Sequence, residues 1–206
     1  MERTGGENEG ISADHSGHIR KQQVAVARPK PVATQPCAIL RATEPRLMQK
    51  LPNPSFMHQA IALATENVRS GQGGPFGAVI VRDGLVVGEG ANRVTQTCDP
   101  TAHAEVRAIR AACTALGVFN LEGCEIYTSC EPCPMCLSAI YWAHISHIWY
   151  GNTAADAARA NFDDAVLYRE VALPAAQRRI PSGELLHDEA WASFQLWLDT
   201  PDKILY

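Results

Sequence analysis

Gly77-Ala-Val-Ile-Val-Arg82, Asp83-Gly84 and Leu85-Val-Val-Gly88 place a turn dipeptide between two short apolar runs. Val and Ile fit a pleated surface, and Asp-Gly supplies the positive φ angles of a two-residue turn, so this stretch predicts a β-hairpin. On its N-terminal side, Asn53 or Ser55 caps a helix whose apolar positions Phe56, Ala60, Ile61, Ala64 and Val68 recur at helical spacing, and Gly71 ends it. On its C-terminal side, an alanine-rich helix opens at His103 and runs to about Leu116, with Gly117 as its stop. Residues 125–129 and 147–150 read as short strands with a helix opening at Cys133 between them, and further helices are expected at about 153–160 and 188–198. No internal repeat interrupts this region. A hairpin followed by alternating helices and strands implies a sheet between helical layers, an α/β fold of the three-layer α-β-α sandwich kind.

His103-Ala104-Glu105 and Pro132-Cys133-Pro134-Met135-Cys136 carry the chemistry. Zn²⁺ takes four tetrahedral ligands, and a site with only three protein ligands keeps its fourth position for water. His103, Cys133 and Cys136 are those three. Two cysteines three positions apart at a helix start can turn both sulfurs to one ion, and the positive end of the helix dipole favours thiolate. Glu105, two residues beyond His103, can face the metal-bound water without ligating the metal, which suits it to carry protons. A lone Cys-x-x-Cys is also a redox pair or half of a structural zinc knuckle. A structural site wants a fourth ligand, however, and Cys98, Cys113, Cys124 and Cys130 form no second Cys-x-x-Cys pair. The joint pattern points to a zinc-dependent deaminase.

At 206 residues, 46% of them hydrophobic, the chain supports one core of ordinary size and an appendage. Seven cysteines, two of them committed to metal, suit a reducing compartment better than a disulfide framework. With no apolar run near 20 residues and no apolar core of a secretory signal, a cytoplasmic protein that engages no membrane is expected. Charge divides the chain. Residues 1–50 hold eight Lys/Arg against five Asp/Glu, whereas residues 51–206 hold ten against seventeen, a formal −7. Proteins that grip a phosphate backbone present a basic face, so the acidic catalytic region favours a small neutral substrate over nucleic acid. Residues 1–50 are rich in Gly, Pro, Gln and charge, show no sustained period, and read as a disordered extension or as the product of an early start, with translation beginning at Met48. Early acids, Glu2, Glu7, Glu9 and Asp14, oppose a mitochondrial presequence. A chain begun at Met48 is expected to keep the melting temperature and turnover of the whole.

Longer motifs surround the zinc ligands: Gly73-Gly-Pro-Phe-Gly-Ala-Val-Ile80, Asn92, Asp99-Pro-Thr-Ala-His-Ala-Glu105, Tyr127-Thr-Ser-Cys-Glu-Pro-Cys-Pro-Met-Cys136 and Ala139-Ile-Tyr-Trp142. With Phe162-Asp-Asp164, Phe194-Gln195 followed by Trp197, and terminal Tyr206, the region from about residue 53 resembles the cytidine deaminase superfamily and, within it, the bacterial guanine deaminases. The resemblance implies a mixed five-stranded sheet between helices, one Zn²⁺ per subunit, and a homodimer that exchanges C-terminal segments. It implies hydrolytic loss of the 2-amino group of guanine, giving xanthine and ammonia. Glu105 and Asp164 are then the catalytic acids, and Phe76, Asn92, Ala104, Trp142 and Tyr206 the substrate-binding residues. Each has a plainer rival: Asn92 as a turn asparagine, Phe76 as core, Asp163 with Asp164 as a solvated acidic pair in which either is the functional acid. Asn161 stands where the family pattern has Gly. Guanosine deaminases and tRNA-specific adenosine deaminases share the metal chemistry and are the alternatives. A catalytically silent binding protein fits poorly with retention of Glu105 and all three ligands.

Overall fold

The structure, a computed structural model, describes residues 51–205; the expectations for residues 1–50 and for Tyr206 fall outside them. Helix α1 spans Pro54–Arg69. Asn53 is its cap, its side-chain oxygen accepting from the Ser55 N–H at 3.0 Å, and Pro54 occupies a first-turn position where its missing N–H costs nothing. The buried line of α1 is Ala60, Ala64 and Asn67. Ile61 and Val68, expected to face inward, are 42% and 52% exposed, because each lies one residue, about 100°, around the helix from that line.

The hairpin forms as expected, with β1 (Gly77–Arg82) antiparallel to β2 (Leu85–Ala91). Asp83 and Gly84 both take positive φ, 51° and 78°, the geometry of a type I′ turn. β2 reaches three residues past Gly88 because pairing continues to Gly77 opposite Ala91. β3 (Glu125–Cys130) joins the other side of β1 antiparallel, and β4 (His147–Asn152) lies parallel to β3. The sheet order is β2-β1-β3-β4. Side chains alternate across it. Ala78, Ile80 and Ile126 pack with Ala104, Ala108 and Ala112 of α3 (Ala104–Leu116) and Ile140 of α4 (Pro134–Trp142), while Val79, Val81 and Tyr127 face Phe56, Met57 and Leu63 of α1. Those two cores make the three layers.

The mixed sheet has four strands among the described residues, where five were expected. After β4 the chain forms α5 (Ala154–Arg159), α6 (Ala165–Ala172), a 3₁₀ turn (Ala175–Gln177) and α7 (His187–Asp199). The stretch between the turn and α7 contains Pro181, which has no N–H for a ladder, and β4 is the last strand on its side among the described residues. α6 and the short α2 (Val94–Thr97) were not foreseen, since neither shows enough periodic residues to register.

β2 lies so close to α3 that a Cβ on Gly90 would sit 2.1 Å from the Ala104 carbonyl oxygen and 2.6 Å from the Ala108 nitrogen. Both obstacles are backbone, so neither can rotate away. Gly90→Ala should therefore cost about 1–3 kcal/mol of stability, read as a lower melting temperature, and should also weaken zinc retention because the displaced turn carries His103.

Candidate active site

Two helix N-termini bring the ligand set together. His103 is the N-cap of α3 and Cys133 the N-cap of α4, with Pro134 opening that helix and Cys136 in its first turn. His103 Nδ1 lies 3.6 Å from Cys133 Sγ and 3.5 Å from Cys136 Sγ, and the three donor atoms fall within 4.8 Å of one another. A tetrahedral ion with Zn–S near 2.3 Å and Zn–N near 2.0–2.1 Å requires N···S separations of about 3.6 Å. The donors fit zinc. The Cys133 thiol is drawn down to about 4, first by its hydrogen bond with Cys136 and then by His103, whereas Cys136 is pushed up by the same bond. A bound cation takes its sulfur ligands as thiolates, so metal binding would deprotonate both cysteines.

Glu105 stands in the first turn of α3, buried, with Oε1 3.5 Å from the Thr128 hydroxyl. Burial pushes its carboxyl above the usual range, the direction required of a group that takes and returns a proton near neutrality. A cavity of about 620 Å³ opens onto His103, Glu105 and Cys133. Its other walls include Phe76, Asn92, Phe162 and Asp164. Phe76 and Phe162 meet edge to face, 4.9 Å between centroids at 86°. Asn92 lines the cavity, and its Oδ1 accepts from the Val94 N–H at 3.3 Å as a turn asparagine does. The acidic pair is divided. Asp163 Oδ1 accepts from the Ala165 N–H at 2.9 Å, while Asp164 makes no side-chain cap, is half-buried, and has its carboxyl raised first by burial and then by Cys133. Asn161 takes φ 68°, a left-handed conformation that Asn tolerates almost as Gly does.

Residues 52–152 match the cytidine and deoxycytidylate deaminase zinc-binding region. Guanine deaminase of Bacillus subtilis is 51% identical over 152 residues, 74% of this chain and 97% of that protein. The chain belongs to the cytidine and deoxycytidylate deaminase family. The X-ray structure of the Bacillus subtilis guanine deaminase superposes on this deaminase with a TM-score of 0.73 at 49% identity, covering 76% of this chain and 99% of that one. A tRNA-specific adenosine deaminase of Agrobacterium fabrum is 48% identical over 77 residues, 37% of this chain and 51% of that protein. Like its family, the deaminase is a zinc enzyme, and its ligand geometry is that of one ion.

Two expected substrate contacts bring no side chain to the lining of the cavity. Ala104 is fully buried in the core between α3 and the sheet, so only its backbone can face a ligand. Trp142 lies six residues beyond Cys136, about 9 Å along α4, and is 68% exposed at the far end of that helix. Sequence reasoning assigned no site role to Phe162, although it lies in the Phe162-Asp-Asp164 motif, nor to Glu131, which lines the cavity and accepts from the Ala154 N–H at 3.0 Å. Glu131 falls inside the metal motif and was legible there; Leu167, on α6, offered no signal. Among the described residues no helix is long and apolar enough to cross a membrane, and the described cysteines are free thiols.

Proposed function

We propose that this deaminase acts on guanine, replacing the 2-amino group with oxygen to give xanthine and ammonia. The reach of the likeness carries the reading: the Bacillus subtilis guanine deaminase matches through 97% of its length, the tRNA deaminase through 51%. The ion, when bound, supplies a hydroxide nucleophile near neutral pH by lowering the pKa of water from 15.7 to about 7. We assign its ligation to His103, Cys133 and Cys136. Glu105 takes the proton from the attacking water, delivers it to the purine ring nitrogen beside C2, and passes the next one to the departing amine. Asp164, the acid of its pair not engaged as a cap, holds the exocyclic amino group and assists its loss as ammonia. Asn92 uses its Oδ1 on Val94, so it reads the purine through its NH₂ donors. Phe76 and Phe162 wall the base and exclude water, and the Ala104 backbone N–H, in the first turn of α3 where helix partners are lacking, is a further donor.

Homodimerisation belongs to the same reading. α7 contributes no buried residue, and Trp191, Phe194, Leu196 and Leu198 are 50–71% exposed, an apolar surface that exchange with a second subunit would cover. We assign Tyr206 to such a segment, reaching the pocket of a partner subunit; Trp142, exposed beside Tyr141, receives no substrate role within one chain. The catalytic region is taken as residues 51–206 and its compartment as the reducing cytoplasm, the latter on its free thiols. Guanosine is the rival substrate, since only room for a ribose separates it from guanine.

One panel decides the matter. Zinc-loaded protein offered guanine, guanosine, adenine, cytosine, cytidine and a tRNA anticodon stem-loop should release ammonia from guanine far faster than from the rest. Faster release from guanosine or RNA would overturn the assignment.

A further inference from the structure

Asn67 is the one polar residue on the buried line of α1, and it is 2% exposed. Its Nδ2 donates to two carbonyls at once, Gly74 O at 2.8 Å and Asn92 O at 2.8 Å. Both partners only accept, so the amide must present its NH₂ end to them. Its Oδ1 is then buried with no partner. A side chain kept merely to fill that space would do better as leucine, which has nearly the same shape and no orphaned acceptor. The two donors are therefore what the site requires.

The carbonyls they join belong to two segments that both line the cavity. Gly74 lies in the loop that delivers Phe76, and Asn92 is the amide proposed to read the purine. Further bonds run between the same segments: Asn92 N–H donates to Phe76 O at 3.1 Å, and Phe76 N–H to Gly74 O at 2.9 Å. Asn67 closes this ring. The approach it holds is tight, because a Cβ on Gly73 would lie 2.3 Å from Asn92 O and 2.9 Å from Asn67 Nδ2. We propose that Asn67 is a positioning residue for substrate recognition, setting the separation and tilt of Phe76 and Asn92 through the Gly74 and Asn92 carbonyls without touching the base. The role rests on the guanine reading above.

Both carbonyls keep a second donor when Asn67 is changed, Phe76 N–H on Gly74 O and Arg93 Nη1 on Asn92 O at 3.2 Å. Removing the amide thus frees the walls without stranding buried acceptors. Full-length, zinc-loaded Asn67→Leu and Asn67→Asp should be compared with wild type for kcat and KM on guanine, for xanthine binding by calorimetry, and for zinc content and melting temperature. The expected result is a rise in KM and in the xanthine Kd of about tenfold or more, with kcat within about threefold and zinc content unchanged. Asn67→Asp should be the worse variant, since a carboxylate oxygen replaces the donor facing two carbonyl oxygens. Unchanged KM and Kd in a folded variant would overturn the proposal, as would a fall in kcat alone, which is what a smaller folded fraction produces. If Asn67→Asp does not fold, Asn67→Leu decides; if neither folds, Asn67 is a folding residue and the proposal fails. Wild-type protein inactive on guanine would refute the substrate reading instead, and the same KM comparison on the best substrate of the panel would then judge Asn67.

Discussion

Glu105→Gln retains its zinc and loses turnover by about 10²- to 10⁴-fold or more. The amide matches the carboxylate in shape and can still meet the Thr128 hydroxyl, 3.5 Å from Oε1 in the native protein. What it cannot do is accept a proton from water and return it to the ring and the amine. Three transfers through one carboxyl put the effect at the upper end of the range. The fold should tolerate the change, because burial already disfavours the charged form of Glu105 and a neutral amide removes that penalty. Metal analysis, melting temperature and rate together test both halves. A variant that lost its zinc would make Glu105 a ligand, and one that kept its rate would place the proton shuttle elsewhere.

Cys136→Ser removes zinc and, with it, all measurable turnover. Cys136 is fully buried and its sulfur lies 3.5 Å from His103 Nδ1, so no water can enter to complete the coordination without opening α4. A serine hydroxyl is shorter, harder and far less acidic than a thiol, and it leaves two ligands where a catalytic zinc needs three. Even lost partners of ligands typically cost 10- to 100-fold in metal affinity, so a lost ligand should cost more than about 100-fold. Binding energy held by the ion is also folding energy, and the melting temperature should fall as the metal leaves. Cys98→Ser, at an exposed thiol away from the ligand set, is the control and should keep zinc, rate and stability. One equivalent of tightly held zinc in Cys136→Ser would show that the ligand set is wrong.

Short-range chemistry was readable directly from the residues. Asp83-Gly84 suits the positive φ angles of a tight turn, Asn53 and Pro54 start a helix by local geometry, and Cys133 and Cys136 lie close enough to share one ion because of their spacing along one helical turn. His103 and Glu105 joined them through a motif whose spacing the chemistry itself imposes, and the charge of −7 beyond residue 50 pointed to a small substrate. Everything that depended on which surfaces meet had to wait for the tertiary structure. The contact line of α1 lies along Ala60, Ala64 and Asn67, so Ile61 and Val68 face outward and a polar amide faces inward, against the order that hydrophobicity predicts. Asp163 and Asp164 are the same residue type in adjacent positions; the Ala165 N–H that Asp163 accepts, and the deeper setting of Asp164, tell them apart. Phe162 meets Phe76 across 86 residues of chain, and Trp142 leaves the cavity because α4 carries it away from the ligands. Among the described residues the sheet stops at four strands, because none of their segments after β4 pairs with it on the side away from β3. Turns, caps and ligand spacing are decided by neighbours in sequence, which a chain displays; burial, pairing and the walls of a cavity are decided by neighbours in space, which it acquires only on folding.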